Sequence, residues 1–373
     1  MAIDLAWQRV RARRLLPRRV RRLLIGLRRQ AWSGPRALGS AAQRVERRAI
    51  NLALQGGGAH GAFTWGVLDR LLEERQLSFD AISGTSAGAV NAVLMAAGLI
   101  EDGAAGALEK LARFWTGLCG NGNGAGFLDQ LPGLQRLQHA SLDLIGKFLA
   151  PAQFNPLDFN PMRELLRTLV DFERLRRDGP ALFIAATDAA TGRKRIFTRP
   201  EISLEAVLAS ACLPQVQQAV EIDGRQYWDG GYVANPPLLP LINPAKAEDT
   251  LLVQIIPLAG QGVPNDHAGI SEGLNRIIFN APLRQEIAAI ELMASRRVGP
   301  FLRHRFHLID ATSATAALPA GSRLVPDWRM MSKLRLDGRQ AADAWLASHR
   351  TAIGRRATAD LPAVFLLGRE PTH

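Results

Sequence analysis

The sequence predicts an α/β fold built on a mostly parallel central sheet flanked by helices. Two strand-turn-helix units follow one another between residues 50 and 97, and β-type runs keep alternating with helical patterns farther on. The chain has 373 residues, 47% of them hydrophobic, with two cysteines. That length buries a sizeable core without staples or a structural metal. The composition excludes a disordered chain, a collagen and a disulfide scaffold. Cys119 and Cys212 stand in no metal-ligand spacing. They fit a reducing or redox-indifferent compartment, with a single long-range disulfide left open.

Each element has a local reason. Ile50–Gln55 is a β-type run ending in glycines, and Phe63, Val67, Leu71 and Leu72 share one face of a helix over about 62–75. Asp80–Ser83 is the next strand, and it runs into Gly84-Thr85-Ser86-Ala87-Gly88 and an apolar helix over Ala87–Ala97. A glycine and asparagine cluster over 117–126 precedes an apolar helix near 134–149, and Asn160-Pro161 reads as a helix start. Ala181–Thr187 and Arg195–Thr198 flank a turn at Thr191-Gly192, and a second hairpin bends at Asp223-Gly224 to deliver Asp229-Gly230-Gly231. Strands at Leu251–Ile256 and Arg305–Ile309 bracket a helix over about 270–297, and a last helix covers about 340–352. The predicted organisation is an arm over 1–48, amphipathic or disordered, a catalytic domain over 49–310, and a helical extension over 311–373 packed on that domain.

Charge is concentrated in the arm. The chain carries 46 Lys plus Arg against 34 Asp plus Glu, a net of +12. Residues 1–48 hold 14 Arg, with Asp4 and Glu46 the acids, so the arm carries the whole excess and the body is neutral. Nothing in the body argues for nucleic acid. Val20, Leu23, Leu24, Leu27 and Ala31 recur at helical spacing among the arginines, with Trp7 and Trp32 flanking them. A basic amphipathic helix of this kind suits an anionic membrane surface, where each basic residue is worth ~1 kcal/mol. A solvated tail and an organelle transit peptide are the other readings. The longest apolar run, Ala89–Ile100, is shorter than the roughly 20 residues of a bilayer span, and no apolar core of a secretory signal follows the charges. The expected location is cytoplasmic, peripheral at the membrane.

Two motifs carry chemistry. Gly56-Gly57-Gly58-Ala59-His60-Gly61 lies between a strand and a helix, so its backbone N–H groups converge on a helix N-terminus, the shape of a phosphate cradle or an oxyanion hole. Gly56, Gly58 and Gly61 also fit the dinucleotide fingerprint. The acid that fingerprint needs at the end of the second strand is replaced here by Ser83-Gly84-Thr85-Ser86. Gly84-Thr85-Ser86-Ala87-Gly88 fits the elbow that projects a nucleophilic serine from a strand-to-helix turn, with Gly84 and Gly88 giving room for it. In the usual α/β-hydrolase order His267, His304, His307 or His349 would be the base, but none sits in a distinctive motif, and just one obvious strand precedes the elbow strand. Asp229, ending a strand beside two glycines, is the better base: a carboxylate takes a serine proton directly when its surroundings set its pKa.

These residues resemble the patatin-like phospholipases, of bacterial type. The resemblance covers about 50–310 and rests on the glycine turn, the serine elbow and Asp229-Gly230-Gly231 in that order. Ala209-Ser210-Ala211-Cys212-Leu213-Pro214 also resembles the stretch preceding the aspartate motif. It implies a three-layer patatin-like fold and a Ser86–Asp229 dyad. Backbone donors at Gly57 and Gly58 would lie within an oxyanion and substrate-binding turn of Gly56, Gly57, Gly58, Ala59, His60 and Gly61. The implied activity is hydrolysis of acyl esters in phospholipids or related glycerolipids, without metal or cofactor. An acyltransferase using the same dyad and a non-catalytic membrane-surface protein are the alternatives. Oligomeric state is not encoded legibly. His60 stands where such proteins often carry Arg or Lys. The apolar residues between Phe127 and Phe159 are expected to form the wall or lid of an acyl slot, or else a helix face packed on the sheet. Removing residues 1–48 is expected to abolish flotation with anionic vesicles; unchanged binding would eliminate the membrane reading of the arm.

Overall fold

A computed structural model describes residues 47–119, 160–242, 246–260, 262–319 and 321–369. The arm up to residue 46, the predicted helix at 134–149 and the predicted lid segment at 127–159 lie outside the described residues.

Eight strands form one sheet among the described residues: β1 (Arg48–Leu54), β2 (Leu77–Gly84), β3 (Ala181–Asp188), β4 (Lys194–Thr198), β5 (Val220–Ile222), β6 (Arg225–Asp229), β7 (Asp249–Gln254) and β8 (Arg305–Asp310). Hydrogen-bonded neighbours run β5-β6-β3-β2-β1-β7-β8, and β4 also pairs with β3. The pairs β3–β2, β2–β1, β1–β7 and β7–β8 are parallel, whereas β4, β6 and β5 make antiparallel pairs beyond them. The β5–β6 turn has positive φ at both Asp223 and Gly224, as a two-residue hairpin requires.

The alternation of side chains shows why the sheet is covered on both faces. In β1, Ile50, Leu52 and Leu54 join one apolar cluster while Ala53 joins another; in β7, Leu251 and Val253 part from Leu252 in the same way. On the first face pack α1 (Gly61–Leu72) and α2 (Ala87–Leu118). Behind them come α3 (Pro161–Leu169), N-capped by Asn160, and α4 (Leu204–Ser210), N-capped by Ser203. The second face is closed by Leu283, Ile287 and Ile290 of α5 (His267–Ser295). The last helices are α6 (Trp328–His349) and α7 (Leu361–Phe365), the latter lying with α5 on the second face.

Two boundaries differ from expectation, and one short element was not foreseen. The helix expected to stop at Ala97 continues to Leu118 across a break at Asp102-Gly103, where Gly103 has φ 60°. Ala107, Leu111, Phe114 and Trp115 beyond the break restore a buried stripe. The last helix begins at Trp328, not Gln340, because Asp327 caps it by accepting the Met330 N–H at 2.7 Å. It keeps Met331, Leu334, Gly338 and Ala342 on the buried side. The short helix α4 is an element that the hydrophobic pattern did not disclose.

The helices α1 and α6 cross with almost no space between their backbones. A Cβ on Gly66 would stand 1.9 Å from the Arg335 carbonyl oxygen, and one on Gly338 would stand 2.1 Å from that of Phe63. Arg335 reaches across to the buried Asp69 at 2.6 Å and lies over the Trp65 ring. Gly338→Leu is therefore expected to lower the unfolding free energy by about 2 kcal/mol or more, measured as a fall in the urea midpoint.

Candidate active site

The site is assembled where the parallel strands end. The β1 strand runs into the glycine turn, and its neighbour β2 runs into the serine elbow, so the two turns lie side by side. The third part arrives from β6. Along residues 183–187, one edge of β3 is taken by β4, so β2 and β6 share the other edge, β2 along 181–184 and β6 along 186–188. The end of β6, Asp229, is thereby delivered just beyond the end of β2.

Ser86 occupies the backbone conformation expected of an elbow nucleophile. Its φ of 55° and ψ of −125° are costly for a non-glycine residue and persist only where the surroundings fix them. Here the Ser86 N–H donates to Ser210 Oγ at 3.0 Å, the Gly88 N–H closes on the Thr85 carbonyl, and Thr85 Oγ1 donates to the Ala234 carbonyl at 2.7 Å. A Cβ at Gly88 would lie 2.1 Å from the Leu54 carbonyl oxygen, which explains the small residue after the serine. Ser86 also heads α2, whose first turn adds a positive dipole end beside the hydroxyl.

Asp229 is wholly buried. Its N–H donates to the Cys212 carbonyl at 2.7 Å, and its carbonyl accepts from Thr187 Oγ1 at 2.7 Å. Carboxylate Oδ1 accepts the Gly231 N–H at 2.7 Å. Burial pushes the carboxyl pKa up to about 7, against the opposing pull of the Gly231 N–H and the Ser86 hydroxyl. Oδ2 nevertheless has no partner with full hydrogen-bond geometry among the described residues. The Ser86 contact is thus a close approach, not a closed bond, and such contacts often tighten only when substrate binds. The two glycines that follow are there for space: a Cβ on Gly230 would meet the Ala185 carbonyl oxygen at 2.2 Å, and one on Gly231 the Phe279 ring at 2.3 Å.

The glycine turn divides by function. The Gly56 N–H donates to Asn235 Oδ1 at 2.7 Å, and the Ala59 N–H donates to the Arg323 carbonyl at 2.8 Å. The His60 N–H bonds back to Gly57, and Gly61 starts α1 against Ala87. The N–H groups of Gly57 and Gly58 have no hydrogen-bond partner among the described residues. Both glycines line the same cavity as Ser86 and Asp229. Gly58 has φ 57°, and a Cβ there would stand 2.2 Å from the Arg323 carbonyl oxygen. Of the six residues of the turn, two present free donors to the cavity and the other four hold the turn in place.

His60 is one of those four. Its Nε2 lies 2.9 Å from Ser322 Oγ, and burial together with the nearby Arg323 charge pushes its pKa down to about 3. It is neutral through the whole physiological range. The positive charge near the turn belongs to Arg323, which is ion-paired with Glu272 of α5 at 2.9 Å.

The cavity encloses about 410 Å³. Its apolar wall is Leu213, Val216, Ile256, Phe279, Leu324 and Val325, and Gln215, Tyr232, Ser271 and Asn275 supply polar groups. None of His267, His304, His307 and His349 lines it. His307 pairs with Asp249 and Thr358, and burial holds the His304 pKa down at about 4. Among the described residues no three His, Cys, Asp or Glu side chains gather as a metal site.

Sequence reasoning assigned no role to five supporting residues. Gln55 accepts the N–H groups of Ile255 and Ile256 through Oε1, tying the turn to the end of β7. Asn235 holds Gly56 on one side and donates to the Phe279 carbonyl on the other. The Asn235-Pro236 step was its visible signal. Ser210 accepts the Ser86 N–H and, two residues on, the Cys212 carbonyl accepts that of Asp229, so Ala209–Pro214 bridges the two residues. Arg323 left no signal, since nothing local links it to a turn more than 260 residues earlier.

Residues 52–242 match the patatin-like phospholipase family. A patatin-like phospholipase domain-containing protein of Caenorhabditis elegans is 31% identical over 199 residues, which is 51% of this chain and 12% of that protein. The chain thus spans only a small part of its curated relative. Among solved structures, VipD from Legionella pneumophila aligns over 80% of this chain and 67% of its own, at 14% identity and a TM-score of 0.43. ExoU from Pseudomonas aeruginosa, in complex with SpcU, aligns over 84% and 60%, at 15% identity and a TM-score of 0.34. Because the matched segment takes in the glycine turn, the serine elbow and the aspartate motif in one continuous run, the chain belongs to the patatin-like phospholipase family.

Proposed function

We propose that the protein is a serine lipid acyl hydrolase that cleaves carboxylic esters of phospholipids or related acyl glycerolipids, with Ser86 as nucleophile and Asp229 as base. One observation carries the reading. A strained, buried serine faces a carboxyl oxygen that has no other partner, beside two unpaired backbone donors in a largely apolar cavity. The alternative of a non-catalytic surface protein leaves this arrangement without a purpose, since a strained residue and an unsatisfied buried carboxyl both cost stability.

In the first half-reaction Ser86 Oγ attacks the ester carbonyl as Asp229 Oδ2 takes its proton. The oxyanion is held by the N–H groups of Gly57 and Gly58, each such donor being worth ~3–4 kcal/mol in the transition state. Collapse expels the alcohol, which leaves with the proton from Asp229. Water then gives a proton to the same carboxylate and attacks the acyl-enzyme, and the fatty acid departs as Ser86 recovers its hydrogen. The acyl chain lies along Leu213, Val216, Ile256 and Phe279.

Ser86→Ala is expected to lower turnover of a short-chain nitrophenyl ester by roughly 10³-fold or more with an unchanged melting curve. Asp229→Asn is expected to do the same to activity; wild-type turnover in that variant would remove the dyad. The activity of the wild type should rise with pH along a limb centred near pH 7, because the base must first lose its proton. Stability runs the other way. Between pH 3.8 and about 7 the unfolded chain has released this proton while the folded one keeps it, so the fold loses stability across that window and no more above it. Asp229→Asn should be spared that loss, and its gain in Tm over the wild type should grow from pH 4 to 7 and then level.

A further inference from the structure

Two consecutive residues, Ala234 and Asn235, touch the elbow, the turn after Asp229, the glycine turn and the wall helix α5. The Ala234 carbonyl accepts the Thr85 hydroxyl at 2.7 Å, and the Ala234 N–H donates to the Gly230 carbonyl at 2.9 Å. Asn235 is fully buried. Its Oδ1 accepts the Gly56 N–H at 2.7 Å, and its Nδ2 donates to the Phe279 carbonyl at 3.1 Å. A main-chain N–H only donates and a main-chain carbonyl only accepts, so these partners fix which end of the amide is oxygen. They also account for the residue type. The side chain must present an acceptor and a donor while uncharged; an ionised carboxylate has no proton to give, and a hydroxyl would have to reach both groups with one atom.

What Asn235 anchors is a run of glycine. Gly57 and Gly58, whose N–H groups have no partner among the described residues, lie between two N–H groups that do: that of Gly56 on Asn235, and that of Ala59 on the Arg323 carbonyl. Glycine has the widest backbone freedom of any residue, so donors carried on it keep their aim only where the chain is tied on both sides. The downstream tie is reinforced by the fit of Gly58 against Arg323. Upstream, a Cβ on Gly56 would stand 2.7 Å from the Thr85 carbonyl oxygen and 2.8 Å from Ser86 Cβ, so the anchored residue is packed on the nucleophile. No other acceptor for the Gly56 N–H is at hand. The neighbouring Gln55 amide is already engaged with Ile255, Ile256 and Asn280.

We infer that Asn235 is a positioning residue for acyl transfer: its carboxamide fixes the upstream end of the glycine turn, so that the Gly57 and Gly58 N–H groups are aimed before the oxyanion forms. The inference rests on the hydrolase reading and adds to it a residue that meets no substrate, since Asn235 does not line the cavity. Its second bond carries the brace to the wall. Phe279 lines the cavity, and its ring lies so close to Gly231, the donor to Asp229, that no Cβ would fit there. Donors set in advance act on the charge that develops in the transition state, not on the ground-state ester. The effect of Asn235 therefore belongs to kcat and spares KM.

The test compares Asn235→Ala in the full chain with the wild type and with Asn51→Ala. Asn51 is another fully buried amide; it donates to the Ala247 carbonyl and does not line the cavity. In Asn235→Ala, kcat on a short-chain nitrophenyl ester is expected to fall about 100-fold while KM stays within about three-fold of the wild type. Asn51→Ala should keep the wild-type kcat even where its Tm falls as far. An alkyl trifluoromethyl ketone reads the donors without turnover: Ser86 Oγ adds to its carbonyl carbon, the proton passes to Asp229, and the electron pair stays on oxygen. Its affinity should fall in step with kcat, and that of the matching long-chain alcohol, which forms no adduct, should not change. Wild-type kcat in Asn235→Ala overturns the inference. So does equal weakening of ketone and alcohol, because the site is then deformed as a whole, or an equal loss of kcat in Asn51→Ala, because lost stability is then the cause. Should Asn235→Ala fail to fold, Asn235→Ser is held to the same outcomes. A wild type that cleaves no ester, and whose ketone affinity Ser86→Ala leaves unchanged, ends the hydrolase reading and this inference together. A wild type that passes both, beside an equally active Asn235→Ala, ends the positioning role alone.

Discussion

The constraint on which the site depends is the burial of one carboxyl group. Asp229 sits in an environment that disfavours its charge, with one oxygen held by the Gly231 N–H and the other left without a bond of its own. An unsatisfied buried acceptor costs about 1–3 kcal/mol. The fold tolerates it because the backbone on both sides is fixed, by Cys212 and Thr187 and by the close fit of Gly230 beneath Ala185. A carboxyl group poised near neutrality can do the work otherwise assigned to an imidazole, and among the described residues no histidine lines the cavity to share it.

Ser86 stores strain in the same way. Its left-handed φ is held by Ser210, by the Thr85 bond to Ala234, and by glycine contacts too close to admit a side chain. The two strained parts are braced by one segment, because Ala209–Pro214 carries the acceptor for Ser86 at Ser210 and the acceptor for Asp229 at Cys212. A shift in that segment would move nucleophile and acid together, preserving their approach.

Much of the sheet was legible in the sequence because its signals are local. Glycines end β1, β2 and β6, the Asp223-Gly224 turn sets its hairpin, and Asn160-Pro161 starts its helix where composition says it should. What escaped was decided by partners far along the chain. The helix from Trp328 is polar enough to pass for a loop until α1 is present to bury its Met331, Leu334 and Gly338 side. His60 stands in the sequence where such proteins often carry a fixed positive charge. Its burial beside Ser322, supplied by the extension, makes it a neutral bond partner instead. The role of Asn235 depends on which turn and which helix carbonyl it meets, and neither is visible from its neighbours.

These long-range contacts bear on what counts as the catalytic unit. The segment matching the family ends at residue 242, yet the glycine turn is completed from beyond it. Ile255 and Ile256 anchor Gln55, the Arg323 carbonyl engages Ala59, and Ser322 engages His60. Arg323, whose charge helps to lower the His60 pKa, is held by Glu272 of α5, a helix that lines the cavity through Ser271, Glu272 and Asn275. The clamp of α6 on α1 holds the stretch of chain that delivers the contacts from Ser322 and Arg323. A fragment ending after β6 would keep Ser86 and Asp229 in its sequence while losing the partners that fix the glycine turn, and in the proposed hydrolase the rate of acyl transfer depends on the turn's donors being in place before the charge develops.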